Sequence, residues 1–303
     1  MADLSVNIAG VTLKNPLVTA SGTFGFGFEY NKFFDISKLG AVCVKGLTLK
    51  ERQGNPPSRI AETSSGILNS VGLQNPGVEV YANDYLPKLK EMGCTVIANI
   101  AGSCIEDYCQ MAERISQTDT DLVEMNISCP NVKEGGVAFG VIPETVFKIT
   151  NEVKKHCTKP LIVKLSPNVT DITETARAAR DGGADALSLI NTLLGMKIDI
   201  RTKRPVLHNN VGGLSGPAVK PVAVRMVWQV KNAVDLPIIG MGGIANADDA
   251  VEFMLAGADA VAVGTSMFAN PMCPIEIIDG LNTYLDNNGY KKATELTGKV
   301  LPY

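Results

Sequence analysis

Short, continuous apolar runs recur along this chain, each followed by a turn and then a stretch with helical spacing. They cover residues 17–21, 41–45, 95–99, 122–126, 161–164, 186–191, 237–240 and 260–264. None alternates apolar with polar positions, so each predicts a strand buried on both faces. The stretches between are amphipathic. Ala247, Ala250, Val251, Met254 and Leu255 keep the i, i+3, i+4, i+7, i+8 spacing of one buried helix face. Asn246 is placed to cap that helix, Asp248 and Asp249 suit its first turn, and Gly257 suits its end.

Eight such units predict an α/β chain folded as a (β/α)8 TIM barrel, with residues 1–303 forming a single domain. A doubly wound open sheet is the alternative, but it does not require a count of eight. Residues 6–13 predict a β-hairpin turning at Ala9-Gly10, ahead of the first strand and plugging the bottom of the barrel. Two connections, 46–94 and 192–236, are long. Insertions at the C-terminal face of a barrel are where a site is built.

Composition narrows the function. A hydrophobic content of 45% supports a large core, and a net charge of −3 without a basic block argues against a nucleic-acid surface. The seven cysteines are odd in number and contain no C-x-x-C pair, which argues against a disulfide framework, a zinc site or an iron–sulfur ligand set. No metal site is expected. The first residues show neither a basic nor an apolar leader pattern, and no run approaches the roughly 20 apolar residues of a membrane span, so a cytoplasmic location is expected. Only His156 and His208 are present, and acid–base chemistry is expected to use other side chains.

The residues that end the runs carry the chemistry. In order they are Ser21, Lys45, Asn99, Asn126, Lys164 and Asn191, then Gly242-Gly243 just past the seventh run and Gly264-Thr265 at the eighth. A single strand-end asparagine is usually a turn former. Two lysines and three asparagines converging on one mouth point instead to a polar ligand, because an unpaired buried polar group costs about 1–3 kcal/mol. The glycines after the last two strands expose backbone N–H groups where barrels commonly hold a phosphate. No G-x-G-x-x-G follows a strand, which argues against a dinucleotide held in the Rossmann manner. Lys45 and Lys164 suit an electron-accepting ring such as isoalloxazine, whose reduced form a nearby cation stabilises.

The fourth run ends in Asn126-Ile-Ser-Cys-Pro-Asn131, which sets one thiol between two carboxamides. A free cysteine is most often a small buried hydrophobe. Here a thiol with an ordinary pKa near 8.5 is a candidate base, and carboxamides match the donors and acceptors of a planar imide.

Together with Ser21-Gly-Thr-Phe-Gly, Asn69-Ser-Val-Gly-Leu-Gln-Asn75, Ile190-Asn-Thr192, Gly212-Gly-Leu-Ser-Gly216, Gly240-Met-Gly-Gly243 and Val263-Gly-Thr265, this hexapeptide resembles class 1 dihydroorotate dehydrogenases over nearly the whole chain. Cysteine rather than serine in the N-x-x-C-P-N motif is the class 1 mark. The segments 21–27 and 258–264 are most similar to subclass 1B, the catalytic subunit of the NAD-linked form. The resemblance implies FMN in the barrel mouth and oxidation of (S)-dihydroorotate to orotate, a step of pyrimidine biosynthesis. It implies FMN contacts from Ser21, Lys45, Gly46, Asn99, Asn126, Lys164, Ile190, Gly216, Gly242, Gly243, Gly264 and Thr265. It implies substrate contacts from Lys45, Asn69, Ser70, Val71, Gly72, Leu73, Asn126, Asn131, Asn191 and Thr192, with Cys129 as general base. The other six cysteines are expected to be structural. Gly135-Gly136 is a candidate hinge for a lid over residues 131–141.

The resemblance further implies a homodimer joined by an electron-transfer subunit carrying FAD and a [2Fe–2S] cluster, a heterotetramer in which electrons reach NAD+ through that partner. The alternatives are the fumarate-linked subclass 1A, a related flavin dihydropyrimidine dehydrogenase, a non-catalytic barrel scaffold, and a flavin-free barrel lyase or isomerase. The last is weakened by the lack of a carboxylate or histidine at the strand ends.

Overall fold

The computed structural model describes residues 2–127, 139–301 and 303. Its barrel strands are β1 (Leu17–Thr19), β2 (Val42–Cys43), β3 (Val96–Ile100), β4 (Leu122–Asn126), β5 (Leu161–Lys164), β6 (Ala186–Leu189), β7 (Ile238–Met241) and β8 (Ala260–Val263). These are the eight apolar runs, with no end shifted by more than two residues. They form one parallel sheet in the order β1-β8-β7-β6-β5-β4-β3-β2. A parallel bridge between Val18 and Ala41 closes the ring between β1 and β2, so the sheet is a barrel rather than an open doubly wound layer.

The seam is short, and a side chain completes it. Thr19 Oγ1 accepts from the Cys43 N–H at 2.9 Å and lies 3.3 Å from the Cys43 carbonyl oxygen, to which it donates. At 1% exposure this hydroxyl has no water to turn to, and it supplies ladder bonds the backbone lacks there.

A helical segment follows each strand. After β1 there are only short 3-10 turns at Tyr30–Lys32 and Ile36–Lys38. After β2, helix Val78–Val80 passes through a π-helical turn, Tyr81–Tyr85, into Leu86–Glu91. The remaining barrel helices are Ile105–Ser116, Pro143–His156, Ile172–Asp181, Lys220–Ala233, Ala247–Ala256 and Cys273–Asn287. The helix predicted from residue 247 forms with the expected cap. Asn246 accepts from the Asp249 N–H at 3.0 Å, and Asp249 accepts from the Asn246 N–H at 3.2 Å. Its buried face keeps Ala250, Val251 and Met254 of the predicted set and adds Phe253 and Ala256, while Ala247 and Leu255 are half-buried.

The expected hairpin pairs Val6–Ile8 with Val11–Leu13. Ala9 and Gly10 both take positive φ, at 51° and 89°, and the Gly10 N–H bonds Asn7 Oδ1 at 2.9 Å. Ile8 and Leu13 are fully buried in the main core just ahead of β1.

The two long connections meet. The segment after β2 contributes Ile60–Thr63 and Gly66–Asn69, and the segment after β6 contributes Leu193–Met196 and Val211–Ser215. They form a four-stranded antiparallel cap in the order Leu193–Met196, Val211–Ser215, Gly66–Asn69, Ile60–Thr63. Glycines let these backbones approach. A Cβ on Gly66 would lie 2.1 Å from the Ser215 carbonyl oxygen, and one on Gly213 would lie 2.1 Å from Thr192 Oγ1.

Candidate active site

Strand register decides which side chains meet inside the barrel. Asn99 stands beside Glu124, Asn126 beside Lys164, and Lys164 beside Ser188. Alternation along β4 sends Glu124 and Asn126 to the same face. Glu124 is 3% exposed and gathers donors from four strands. Its Oε1 accepts from Asn99 Nδ2 at 2.6 Å and lies 3.5 Å from both Lys164 Nζ and Cys43 Sγ, while its Oε2 accepts from Ser188 Oγ at 2.7 Å. Burial alone would raise its carboxyl pKa. The Lys164 ammonium and the hydrogen bonds from Ser188, Asn99 and Cys43 outweigh it, and the net displacement is below the ordinary value. Burial, with Glu124 beside it, pushes the Cys43 thiol well up.

The sequence pattern did not single out Glu124, because it sits inside a run that is otherwise apolar. The signal was an acid at 124 and a lysine at 164, each interrupting a run expected to be buried on both faces. A carboxylate thus does face the barrel interior, one layer below the strand ends and committed to Lys164.

Above this layer lie the predicted strand-end residues. The Asn99 amino group is taken by Glu124, and Asn99 Oδ1 is buried without a hydrogen-bond partner among the described residues. It faces Gly46, where a Cβ would sit 2.9 Å from Asn99 Oδ1, 3.5 Å from Leu73 Cδ2 and 3.8 Å from Ser21 Oγ. Ser21, Leu73 and Asn99 therefore converge on Gly46. Lys45 Nζ passes over Gly22, 3.5 Å from where its Cβ would be. Burial lowers the Lys45 pKa, with no carboxylate paired to it among the described residues. On the next wall, Asn191 Nδ2 donates to Asn126 Oδ1 at 3.0 Å, and Asn191 Oδ1 accepts from the Thr192 N–H at 2.8 Å. Tyr108, a residue the sequence pattern did not select, donates to the Asn126 carbonyl oxygen at 2.7 Å.

The cap joins these walls. Asn69 Nδ2 donates to the Gly213 carbonyl oxygen at 3.3 Å, and Gly213 abuts Thr192. Ser70, Val71 and Gly72 are held from behind by Asn55, whose N–H bonds the Val71 carbonyl oxygen at 2.9 Å and whose Nδ2 donates to Ser70 Oγ at 3.2 Å. Asn168 fixes Thr192 in the same way, donating to its carbonyl oxygen at 3.0 Å. Neither Asn55 nor Asn168 ends a barrel strand, so strand-end reasoning passed over both.

The glycine wall is also assembled. A Cβ on Gly243, at φ 81°, would meet the Gly216 carbonyl oxygen at 2.8 Å, and one on Gly242, at φ 130°, would lie 3.3 Å from Ile190 Cγ1. Gly216, Gly242, Gly243 and Ile190 thus lie together. Gly264 faces Ala20 and Thr23, and Thr265 opens the short helix Ser266–Ala269 without a side-chain cap bond. Nearby, Lys220 is committed to Asp249 and Glu252, at 2.7 and 2.8 Å.

Cys129, Asn131 and the Gly135-Gly136 hinge lie outside the described residues, as does most of the expected lid over 131–141. Among the described residues, no group of three or more His, Cys, Asp or Glu side chains is placed to hold a metal ion. Among the same residues, no helix is long and apolar enough to cross a membrane.

A protein-family model described as dihydroorotate dehydrogenase matches residues 3–285. A relative from Alkaliphilus oremlandii, named dihydroorotate dehydrogenase B (NAD(+)), catalytic subunit, is 57% identical over 298 residues, covering 98% of this chain and 99% of its own length. Relatives of the same name from Bacteroides fragilis and Thermoanaerobacter sp. are 56% and 54% identical, over 99% and 98% of this chain and 99% of their own lengths. With a closed barrel and a polar mouth built from the segments that carry the motifs, the chain belongs to the dihydroorotate dehydrogenase family.

Proposed function

We propose that this chain is the catalytic subunit of an NAD-linked dihydroorotate dehydrogenase, a single FMN-binding barrel domain that oxidises (S)-dihydroorotate to orotate in pyrimidine biosynthesis. The observation that carries this is the full-length likeness to relatives bearing that name, at 57% identity over 98% of the chain. The site supports a flavin on its own evidence. Asn99 Oδ1 is a buried acceptor beside Gly46 without a hydrogen-bond partner among the described residues, and a ligand N–H or O–H reaching it would complete it.

FMN, when bound, supplies hydride acceptance and the later return of electrons. Ser21, Lys45, Gly46, Asn99, Asn126 and Lys164 would hold its ring system. Ile190, Gly216, Gly242, Gly243, Gly264 and Thr265 would hold its phosphate arm, where backbone N–H groups favour an anion. Lys45, Asn69 to Leu73, Asn126, Asn131, Asn191 and Thr192 would bind the pyrimidine. Asn191 donates to Asn126 Oδ1, so the two carboxamides would meet the pyrimidine as a hydrogen-bonded pair. Lys45, desolvated and without a carboxylate partner among the described residues, would meet the substrate carboxylate. Cys129 would take the proton from the carbon next to the hydride donor.

Electrons would leave through a partner subunit with FAD and a [2Fe–2S] cluster, joined to a homodimer of this chain in the cytoplasm. The relatives' name, catalytic subunit, supports such a partner. The test is the visible spectrum of the purified chain, then anaerobic addition of dihydroorotate. Flavin absorbance that bleaches is the expected result. A colourless protein, or colour that dihydroorotate leaves intact, would defeat the proposal.

A further inference from the structure

The barrel interior holds one feature that flavin and substrate contacts do not account for, the fully buried Glu124. A buried ion pair is not needed to hold a core together, since well-packed apolar side chains of similar volume do as well or better. Glu124 nevertheless binds Asn99, Lys164, Ser188 and Cys43, which come from β3, β5, β6 and β2. Two of those partners, Asn99 and Lys164, belong to the proposed flavin wall.

Two consequences follow from donor–acceptor chemistry. A carboxylate only accepts, so the Asn99 side chain must turn its amino group down to Glu124 and its carbonyl oxygen up to Gly46. The mouth is thereby given an acceptor, not a donor, at that point. The Lys164 ammonium, 3.5 Å from Oε1, is compensated by a charge on the side away from the mouth. Two opposite charges in a low-dielectric layer present a flavin with much less positive potential than the lysine would alone.

We propose that Glu124 is a positioning residue for the flavin, one that orients Asn99 and balances Lys164 and so sets how strongly the bound ring attracts electrons. This inference rests on the flavin reading above. Ser188 and Cys43 complete the carboxylate's shell and keep it aligned.

Anaerobic redox titration of the FMN-loaded full chain tests this, using wild type, Glu124→Gln, Lys164→Met and the double variant. Glu124→Gln leaves a net positive charge, so binding of the reduced ring is expected to gain on the oxidised ring by roughly tenfold, a rise of about 30 mV for a two-electron couple. Lys164→Met is expected to shift the midpoint the other way. The double variant, with no net charge in the layer, is expected to return near wild type. A midpoint unchanged in Glu124→Gln, or equal in Lys164→Met and the double variant, would overturn the role. If Glu124→Gln fails to fold, the double variant leaves no unpaired charge, and its comparison with Lys164→Met decides alone. Wild-type protein that takes up no FMN would overturn the flavin reading itself, an outcome distinct from bound FMN with an insensitive midpoint.

Discussion

At the scale of single residues, the chemistry divides between a thiol and a lysine. If Cys129 is the base, Cys129→Ala should keep the flavin colour while its bleaching by dihydroorotate slows by roughly 10²–10⁴-fold near neutrality, the usual worth of a positioned base. Stopped-flow bleaching at wild-type speed would remove Cys129 from the mechanism. Lys45 makes a prediction in pH. Burial lowers its pKa, so the ammonium that would bind a carboxylate is lost as pH rises through a value below the ordinary ~10.4. Orotate affinity should therefore fall on that alkaline limb. Lys45→Met should bind orotate more weakly, by about 1.5–3 kcal/mol, and without the limb. A titration of that variant that keeps the wild-type pH profile would assign the limb elsewhere. The strand-end lysines and asparagines were legible because each stops an apolar run. Glu124 was not, because a barrel strand is buried on both faces, and hydropathy does not separate its packed outer face from an inner face that can hold a satisfied charge.

At the scale of elements, β4 depends on that charge. The folded Glu124 carboxyl lies below its unfolded value, so its contribution is complete above the ordinary ~4.3 and is lost as pH falls through the folded value. Glu124→Gln should cost about 3–5 kcal/mol near neutrality, since the Lys164 ammonium loses its carboxylate, and the gap to wild type should narrow in acid. Denaturant melts of both proteins from pH 7 downward read this, and curves that stay parallel would refute it. The cap tells a different story about legibility. The eight barrel strands were readable because each is a local apolar run. The cap strands are not, because Gly66–Asn69 and Val211–Ser215 are short and half exposed, and the pairing that joins them spans more than a hundred residues of chain. No local pattern encodes a pairing whose condition is the absence of two β-carbons. Gly66→Ala pushes a Cβ into the Ser215 backbone, so it should destabilise the protein by about 1–3 kcal/mol and weaken orotate binding through the displaced Asn69. Calorimetry and an orotate titration together check it, and unchanged values in both would show that the cap yields without effect.

At the scale of the whole molecule, the remaining question is where the electrons go. The C-terminal face is covered by the cap, and the cap segment leaves Leu194, Met196, Ile198 and Ile200 exposed, with Ile200 at 86%. Scattered surface apolar residues are ordinary, but four in one short segment form a surface that an assembly can cover. The sequence carries neither a Rossmann fingerprint after a strand nor a C-x-x-C pair, so a direct route from the flavin to NAD+ has no recognisable docking motif here. Half-reactions should therefore separate. The chain alone should be reduced by dihydroorotate, and the reduced chain mixed with NAD+ should keep its flavin bleached over times in which substrate reduces it completely. Adding the proposed electron-transfer subunit should restore NADH formation, read at the nicotinamide band. Rapid NADH formation by the chain alone would refute the partner, and fast reoxidation by fumarate instead would move the chain to the fumarate-linked subclass while leaving the barrel chemistry as proposed.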